Sequence, residues 1–184
     1  MDTMTDLLTT FAARADAEDL VDVAWTDYDS PVGTLVLAAT PDGLVTISYR
    51  RAEEVIDGLA AKLSPRVVAY PKRLDDVRRQ LDDYFAGRLH HFDVDLDWRL
   101  ATPFQREVLG VVREVRFGEV TTYQDVARAI GRPTASRAAG GANARNPLPI
   151  VVPCHRVIGS DGSLTGYGGG VENKAYLLAM EGSR

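Results

Sequence analysis

The sequence of 184 residues contains a single cysteine, Cys154. One cysteine excludes an intrachain disulfide and any zinc site built from several cysteines, and it fits a reducing compartment such as the cytoplasm. Histidine is almost as scarce. His90 and His91 lie together without a cysteine near them in the sequence, which favours a solvated loop over a metal site. We therefore expect no bound metal.

Long apolar runs and a basic leader are also missing. Runs such as residues 35–39 are far too short to cross a bilayer. The chain opens with Met-Asp-Thr, which is acidic where a secretory signal would be basic. These absences predict a soluble, cytoplasmic protein with no membrane partner.

An excess of positive charge is missing from the chain as a whole. The formal net charge is −5, whereas cations that neutralise phosphates supply most non-specific affinity for nucleic acids. The two halves of the chain differ in charge. Residues 1–98 hold 10 Lys or Arg and 19 Asp or Glu, whereas residues 99–184 hold 11 Lys or Arg and 7 Asp or Glu. This predicts two domains, of which the second meets an anionic partner. The alternative is that the acidic residues merely keep the first half soluble.

Residues 21–98 combine strand and helix signals. Alternating β-branched residues, broken by Gly and Pro turns, predict a three-stranded meander, and helical periodicity then predicts two helices before a last alternating stretch. The strands are expected over 21–28, 34–39 and 44–49, the helices over 52–63 and 72–86, and the last stretch over 92–98. The segment 21–98 thus reads as an α+β domain. The extension 1–20 is expected to be a short helix or a partly ordered tail.

Residues 99–184 are predicted to form a mainly helical domain. Thr102 followed by Pro103 is typical of a helix start, because a threonine caps the first N–H groups and proline fits the first helical position. The helices are expected to begin at Pro103 and to cover 121–130, 134–144 and about 171–180. The middle pair, joined at Gly131, indicates a helix-turn-helix, although similar hairpins occur in proteins that never bind DNA.

The helix over 134–144 is built largely of small residues. They are Ala135, Ala138, Ala139, Gly140, Gly141 and Ala142. A smooth face from which Arg137 protrudes, with Asn143 and Arg145 further on, can approach a groove closely. The alternative is that the small residues permit tight packing in the core while Arg137 is solvated.

The chemistry of the chain centres on Cys154. A lone cysteine is more often an inert small hydrophobe than a nucleophile, but the adjacent His155 and Arg156 favour thiolate chemistry. If the proline-bounded segment is extended, neighbouring side chains leave on opposite faces, which disfavours a direct contact between Cys154 and His155. A bridging water is then expected, with Glu181 holding the imidazole and Glu172 as a weaker candidate.

Two unusual segments border the cysteine in the sequence. Residues 146–150 read Asn-Pro-Leu-Pro-Ile, and residues 166–170 read Gly-Tyr-Gly-Gly-Gly. The glycine-rich segment lacks the Lys-Ser/Thr of a phosphate-binding loop. Its glycines allow backbone N–H groups to approach a ligand, with Tyr167 as one wall. Together the two segments predict a pocket around the sulfur.

The Asn146-Pro147, Pro153-Cys154-His155-Arg156-Val157 and Gly-Tyr-Gly-Gly-Gly elements resemble the active-site region of the O6-alkylguanine-DNA alkyltransferases, or methylated-DNA–protein-cysteine methyltransferases. The resemblance covers residues 21–184. It implies a ribonuclease-H-like α+β domain over 21–98 and a winged-helix, helix-turn-helix domain over 99–184. Residues 1–20 have no counterpart in the family pattern.

The resemblance also implies roles for single residues. Cys154 takes the alkyl group as a stable thioether, His155 and Glu181 relay the thiol proton through a water, and Asn146 ties the preceding turn. Tyr123 helps to rotate the nucleotide and to protonate the departing base, and Arg137 fills the space that the flipped base leaves. The remaining DNA-facing residues are Ala135, Ala138, Gly140, Gly141 and Asn143. The pocket is formed by Pro149 and Tyr167 as walls, the carbonyls of Cys154 and Val157, and the N–H of Gly168, where some members have serine.

The function implied is DNA repair by irreversible, single-turnover alkyl transfer from O6 of guanine, and from O4 of thymine, in double-stranded DNA after base flipping. No cofactor is implied, and the protein is expected to be a monomer, with cooperative assembly on DNA left open. One alternative is a damage sensor that binds alkylguanine without transfer, although such relatives replace the cysteine. The other is a cysteine hydrolase, against which the missing distant histidine counts.

Overall fold

A computed structural model describes residues 3–183, with side chains from Leu7 onward. The chain divides into two compact units. The first extends to Leu81 and includes Val94–Asp97, and the second comprises Asp82–Asp93 and the chain from Trp98. Relative to the boundary predicted between residues 98 and 99, residues 82–93 and Trp98 belong to the second unit.

A mixed four-stranded sheet in the order β3-β2-β1-β4 forms the centre of the first unit. The strands are β1 (Val23–Ser30), β2 (Gly33–Thr40), β3 (Gly43–Ser48) and β4 (Val67–Ala69). The first three are antiparallel neighbours, which confirms the predicted meander. Strand β4 pairs parallel with β1. It was not predicted, because three residues are too few to show a period of two.

The turn between β2 and β3 requires glycine at position 43. Gly43 has a φ of +133°, and a Cβ there would lie 2.4 Å from the carbonyl oxygen of Asp95. Beside this close approach, Leu44 forms an isolated bridge with Leu96, and buried Asp97 accepts a 2.6 Å hydrogen bond from the Thr40 hydroxyl. The alternation over 92–98 therefore corresponds to a bridge and not to a full strand.

Three helices begin in the first unit: α1 (Thr3–Ala17), α2 (Ala52–Lys62) and α3 (Asp75–Phe85). Of the two expectations for 1–20, the structure shows the helix. Its buried face consists of Ala12 and Ala15, whereas Leu7, Leu8 and Phe11 are exposed. The helix predicted over 72–86 starts as a 3₁₀ turn, Pro71–Leu74, before α3.

The second unit contains α4 (Pro103–Arg113), α5 (Tyr123–Ala129), α6 (Ser136–Ala144) and α7 (Val171–Met180). Short strands β5 (Thr121–Thr122) and β6 (Val157–Ile158) pair in parallel. The Thr102 side chain accepts from the Gln105 N–H, and the Gln105 side chain accepts from the Thr102 N–H, so the predicted helix start is a capping box. The predicted α+β class, with a helical second part, is confirmed.

Buried side chains of the second unit form a core beneath the helices. They include Val108, Leu109, Val112, Val126, Ala127, Ala139, Ala142, Leu148, Leu177 and Leu178. Helices α4, α5 and α6 contact one another, so the small residues on one side of α6 do pack inside. Within residues 3–183, no helix combines the length and the apolar character that crossing a membrane requires.

Candidate active site

Cys154 is the first residue of a 3₁₀ turn, Cys154–Arg156, and is 2% exposed. The segment is therefore not extended, so the condition under which the side chains of Cys154 and His155 would leave on opposite faces is not met. The N–H of Arg156 donates to the Pro153 carbonyl at 2.9 Å, which closes the turn directly after the proline. Pro153 lies directly before the turn as its N-cap residue.

Asn146 fixes the chain in front of the cysteine. Its Nδ2 donates to the Val152 carbonyl at 2.8 Å, and its Oδ1 accepts from the Leu148 N–H at 2.9 Å. Ile150 lies between these contacts with a φ of +75°, which is rare for a β-branched residue. The Asn146 amide therefore holds both ends of the loop 148–152, which contains the strained Ile150 and leads into Cys154.

Burial raises the pKa of the Cys154 thiol to about 11, against opposing effects of the Asn146 amide and the Lys174 charge. At neutral pH the sulfur therefore carries its proton. Nucleophilic attack by this sulfur requires an acceptor for that proton.

His155 supplies a candidate acceptor. The imidazole is fully buried, and its Nε2 lies 2.9 Å from Glu181 Oε1. Burial lowers the pKa of His155, with the Arg156 and Lys174 charges acting in the same direction and Glu181 opposing them. The neutral ring places its hydrogen on Nε2, facing the carboxylate. Nδ1, which is buried and has no hydrogen-bond partner within residues 3–183, then holds a lone pair.

Glu181 is the carboxylate that the sequence predicted, whereas Glu172 is exposed in the first turn of α7. Burial alone would raise the pKa of Glu181, but hydrogen bonds from His155, Arg156 and Tyr84 lower it to about 2. Arg156 donates to both carboxylate oxygens at 2.8 Å and to the Val115 carbonyl at 2.5 Å. The guanidinium therefore binds Glu181, which corrects its interpretation as a cation acting on the thiol.

Lys174 is a site residue that the sequence reasoning missed. It is fully buried on α7, and its Nζ donates to the carbonyls of Val157 at 2.5 Å and Thr165 at 2.9 Å. The ammonium also lies 5.7 Å from the centre of the Tyr123 ring. A lysine three residues before the buried Leu177, on the same helix face, was the available signal.

Tyr123 begins α5 and lies half-buried beside the loop before α7. Its hydroxyl donates to the Thr165 carbonyl at 2.6 Å. Burial raises the pKa of Tyr123, and negative charge on Cys154, once its thiol is ionised, adds to the rise. Gly166 makes this position possible, because its φ is +70° and a Cβ there would lie 2.9 Å from the Tyr123 hydroxyl oxygen.

The predicted pocket residues lie around the same turn. Tyr167 is buried, with its ring edge-on to His155 at a centroid distance of 6.3 Å, and Pro149 is buried beside the Asn146 turn. The Cys154 carbonyl accepts from Asn143 Nδ2 at 3.1 Å, and the Val157 carbonyl accepts from Lys174; each carbonyl has two lone pairs, so a second donor can bind. Gly168 is exposed, and a Cβ there would lie 3.2 Å from the Ala144 carbonyl oxygen.

Helix α6 presents two different faces. Arg137 and Ala138 are exposed, and Ala135, Gly140 and Gly141 are partly exposed. Arg137 makes no ion pair or hydrogen bond with any residue of the described chain. Asn143 differs from its predicted place on the DNA-facing surface, because its side chain is 1% exposed and binds the Cys154 carbonyl.

His90 and His91 are both exposed, and His90 stacks on Phe117 at a centroid distance of 4.1 Å. The two histidines line a cavity of about 450 Å³ together with Arg113 and Arg116. Among the side chains that the structure describes, residues 7–183, no three from His, Cys, Asp or Glu come together as a metal site.

Two family models match the chain. The model for the ribonuclease-like domain of 6-O-methylguanine DNA methyltransferase matches residues 23–98, and the model for the DNA-binding domain of the same family matches residues 103–183. A methylated-DNA–protein-cysteine methyltransferase of Methanosarcina acetivorans is 42% identical over 156 residues, covering 85% of this chain and 96% of the relative. The chain belongs to the 6-O-methylguanine DNA methyltransferase family. The resemblance read from the sequence is thereby confirmed.

Other members of the 6-O-methylguanine DNA methyltransferase family agree with this assignment. The constitutive methylated-DNA–protein-cysteine methyltransferase of Bacillus subtilis is 39% identical, over 85% of this chain and 94% of the relative. The crystal structure of Mycobacterium tuberculosis O6-methylguanine methyltransferase has a TM-score of 0.77 at 40% identity, covering 88% of this chain and 94% of that one. The crystal structure of Mycobacterium tuberculosis OGT in complex with DNA has a TM-score of 0.75 at 41% sequence identity, covering 87% of this chain and 93% of that one.

The raised pKa of Cys154 also predicts an alkaline loss of stability. A folded-state pKa above the ordinary value of 9.0 means that the folded chain binds this proton more tightly, so the stabilisation is complete below that value and is lost as pH rises to about 11. We expect the free energy of unfolding to fall by up to about 3 kcal/mol more than in Cys154→Ser over this window. Denaturant unfolding at several pH values measures the difference. Parallel curves for the two proteins would contradict the raised pKa.

Proposed function

We propose that this chain repairs DNA by moving an alkyl group from O6 of guanine to the sulfur of Cys154. The single observation that carries the proposal is the buried thiol directly before a His155–Glu181 pair whose Nδ1 has no protein partner among residues 3–183. Family membership supports the reaction class, since the relatives bear the name methylated-DNA–protein-cysteine methyltransferase.

The reaction begins with the thiol proton. It passes to His155 Nδ1 through a water, and Glu181 stabilises the imidazolium that forms. The sulfur attacks the alkyl carbon, the S–C bond forms, and the C–O6 bond breaks with its electron pair on the guanine. Tyr123 gives a proton to this departing base, and the Lys174 ammonium near its ring stabilises the phenolate. The product thioether has no good leaving group, so each chain acts once.

Alkylated guanine lies inside the duplex, so transfer requires extrusion of the nucleotide. The partly exposed small residues Ala135, Gly140 and Gly141 let α6 approach a groove, and Arg137 then occupies the space that the base leaves. The DNA complex of the Mycobacterium tuberculosis relative supports DNA as the partner. Accordingly, the substrate is double-stranded DNA carrying O6-alkylguanine or O4-alkylthymine, bound by a monomer.

The pocket for the flipped base is formed by the walls Pro149 and Tyr167, the Gly168 N–H and the carbonyls of Cys154 and Val157. Exposed Gly168 offers its N–H toward the base without a side chain. Because the sulfur must stay reduced until it reacts, the protein functions in a reducing compartment such as the cytoplasm.

The test is the intact mass of the chain after mixing with a duplex oligonucleotide that contains O6-methylguanine. We expect one methyl group per chain, located on Cys154, with repair ending when the chain is consumed. Cys154→Ser is the control: it should bind the duplex but gain no mass, because the groove contacts come from α6. Continued demethylation by a chain of unchanged mass would refute the proposal, as would methylation elsewhere than Cys154.

A further inference from the structure

Tyr84 contacts the proton-relay pair from a part of the chain that carries none of the active-site motif. It lies in the last turn of α3, within the segment that packs in the second unit, and is fully buried. Its hydroxyl donates to Glu181 Oε1 at 2.6 Å. The same oxygen accepts from His155 Nε2 at 2.9 Å and from Arg156 at 2.8 Å.

The ring of Tyr84 is held by other aromatic rings. Its centroid lies 5.2 Å from that of Phe92, 5.3 Å from that of Phe85 and 6.2 Å from that of Phe117. Edge-on and tilted packing of this kind is favourable and directional. The ring therefore has little freedom, and its hydroxyl is fixed on the carboxylate. Replacing this tyrosine by phenylalanine keeps the ring packing and removes the hydroxyl.

Donors that share one carboxylate oxygen compete for its electron density. With Tyr84 and Arg156 on Oε1, the carboxylate attracts the Nε2 hydrogen of His155 less strongly than an unshared carboxylate would. A weaker attraction disfavours the imidazolium in the resting site. A neutral imidazole is the form that can accept the thiol proton.

We propose that Tyr84 is a positioning residue for alkyl transfer, whose hydroxyl shares the Glu181 oxygen that faces His155 and thereby keeps His155 neutral at neutral and mildly acidic pH. The inference rests on the proposed alkyl transfer to Cys154. Tyr84 touches neither the sulfur nor the substrate and acts through Glu181. The Tyr84 hydroxyl is an uncharged donor, so it weakens the attraction of Glu181 for the imidazole hydrogen without adding a buried charge.

Other titratable and charged groups also face the pair. Arg156 and Cys154 belong to the same turn, Lys174 comes from α7, and the Tyr167 ring comes from the loop before that helix. The Arg156 and Lys174 charges and burial all disfavour the imidazolium. Tyr84→Phe leaves each of these groups in place, so a change in the pH dependence of alkyl transfer is caused by loss of the hydroxyl.

The experiment measures single-turnover alkyl transfer by the parent and by Tyr84→Phe as a function of pH. Without the hydroxyl, the carboxylate attracts the imidazole hydrogen more strongly, and the pKa of His155 rises. This rise moves the acid limb of the rate profile to higher pH. We expect a shift of about one pH unit, with rates near those of the parent on the alkaline side.

Tyr70→Phe is the matched control, because Tyr70 is also a buried tyrosine but belongs to the first unit, whereas the relay residues belong to the second. It should leave the acid limb unchanged. An unchanged limb in Tyr84→Phe would overturn the inference. A uniform loss of rate at every pH would also overturn it, since that is the result of a purely structural role.

A second measurement separates this inference from the proposed function. The protonation of the His155 imidazole is followed by NMR in both proteins, with the signal assigned by its absence in His155→Ala. If the parent transfers no alkyl group, the proposed function fails, while a rise in the His155 pKa in Tyr84→Phe still shows that the hydroxyl controls the imidazole. Identical His155 titrations in the two proteins would refute that control.

Discussion

Glu181→Gln and His155→Gln are each expected to slow alkyl transfer by about a hundredfold or more, the range in which proton transfer by a positioned group contributes to catalysis. Glu181→Gln removes the anion that stabilises the imidazolium, and His155→Gln removes the proton acceptor itself. Because the pKa of the Cys154 thiol is raised to about 11, no significant thiolate exists at neutral pH without an acceptor. Single-turnover rates on a methylated duplex measure both losses.

The two variants differ in their cost to the fold. Glu181→Gln leaves the buried Arg156 charge without its carboxylate, and breaking such a pair costs about 3–5 kcal/mol. His155→Gln leaves the Glu181–Arg156 pair intact, so its effect on rate is the cleaner result. Thermal unfolding of both proteins establishes that the rates refer to folded chains. Rates equal to the parent in folded His155→Gln would remove the relay from the mechanism.

The pH dependence of His155→Gln gives a further sign of the same mechanism. Without an internal acceptor, transfer depends on thiolate formed by direct ionisation. Its rate should therefore rise about tenfold per pH unit until pH approaches the raised pKa of about 11. The parent, which transfers the proton inside the site, should show a much flatter profile above neutral pH.

Features that depend on neighbouring residues in the chain could be predicted from the sequence. The capping box at Thr102, the meander of β1 to β3 and the final helix α7 each depend on a local pattern of turns, caps and periodicity. The thiol, the imidazole and Glu181 also followed from short motifs and from the position of one acid at a helix end. For the capping box, the meander and α7, the residues that decide the structure are close in the sequence, whereas Glu181 lies 26 residues from His155 and was singled out by its position at a helix end.

Features that depend on distant partners could not be predicted in this way. Tyr84 and Glu181 are 97 residues apart in the sequence, and nothing in the pattern around Tyr84 distinguishes it from a core tyrosine. Lys174 and Asn143 were missed or misplaced because polar side chains were read as surface groups, whereas both are buried by pairing with carbonyls. Arg156 lies close to the thiol in the sequence, but its guanidinium donates hydrogen bonds to the Glu181 carboxylate.

The second large effect is expected at Arg137, on the exposed face of α6. If this side chain only attracts phosphates, Arg137→Lys should change little, because lysine keeps the charge. If it fills the gap left by an extruded base, the planar guanidinium matters and lysine cannot replace it. We expect Arg137→Lys to slow transfer on duplex DNA by about thirtyfold, equivalent to about 2 kcal/mol of the extrusion energy.

The loss should depend on the substrate, because a free base needs no extrusion. On free O6-benzylguanine, Arg137→Lys and Arg137→Ala should therefore react at close to the parent rate. Arg116→Lys is the matched control, since Arg116 is an exposed arginine of the same unit outside α6, and it should leave both rates unchanged. Equal slowing of the Arg137 variants on duplex and free base would indicate damage to the pocket. Parent-like transfer by Arg137→Lys on duplex DNA would mean that Arg137 is a solvated cation and that another side chain supports the flipped state.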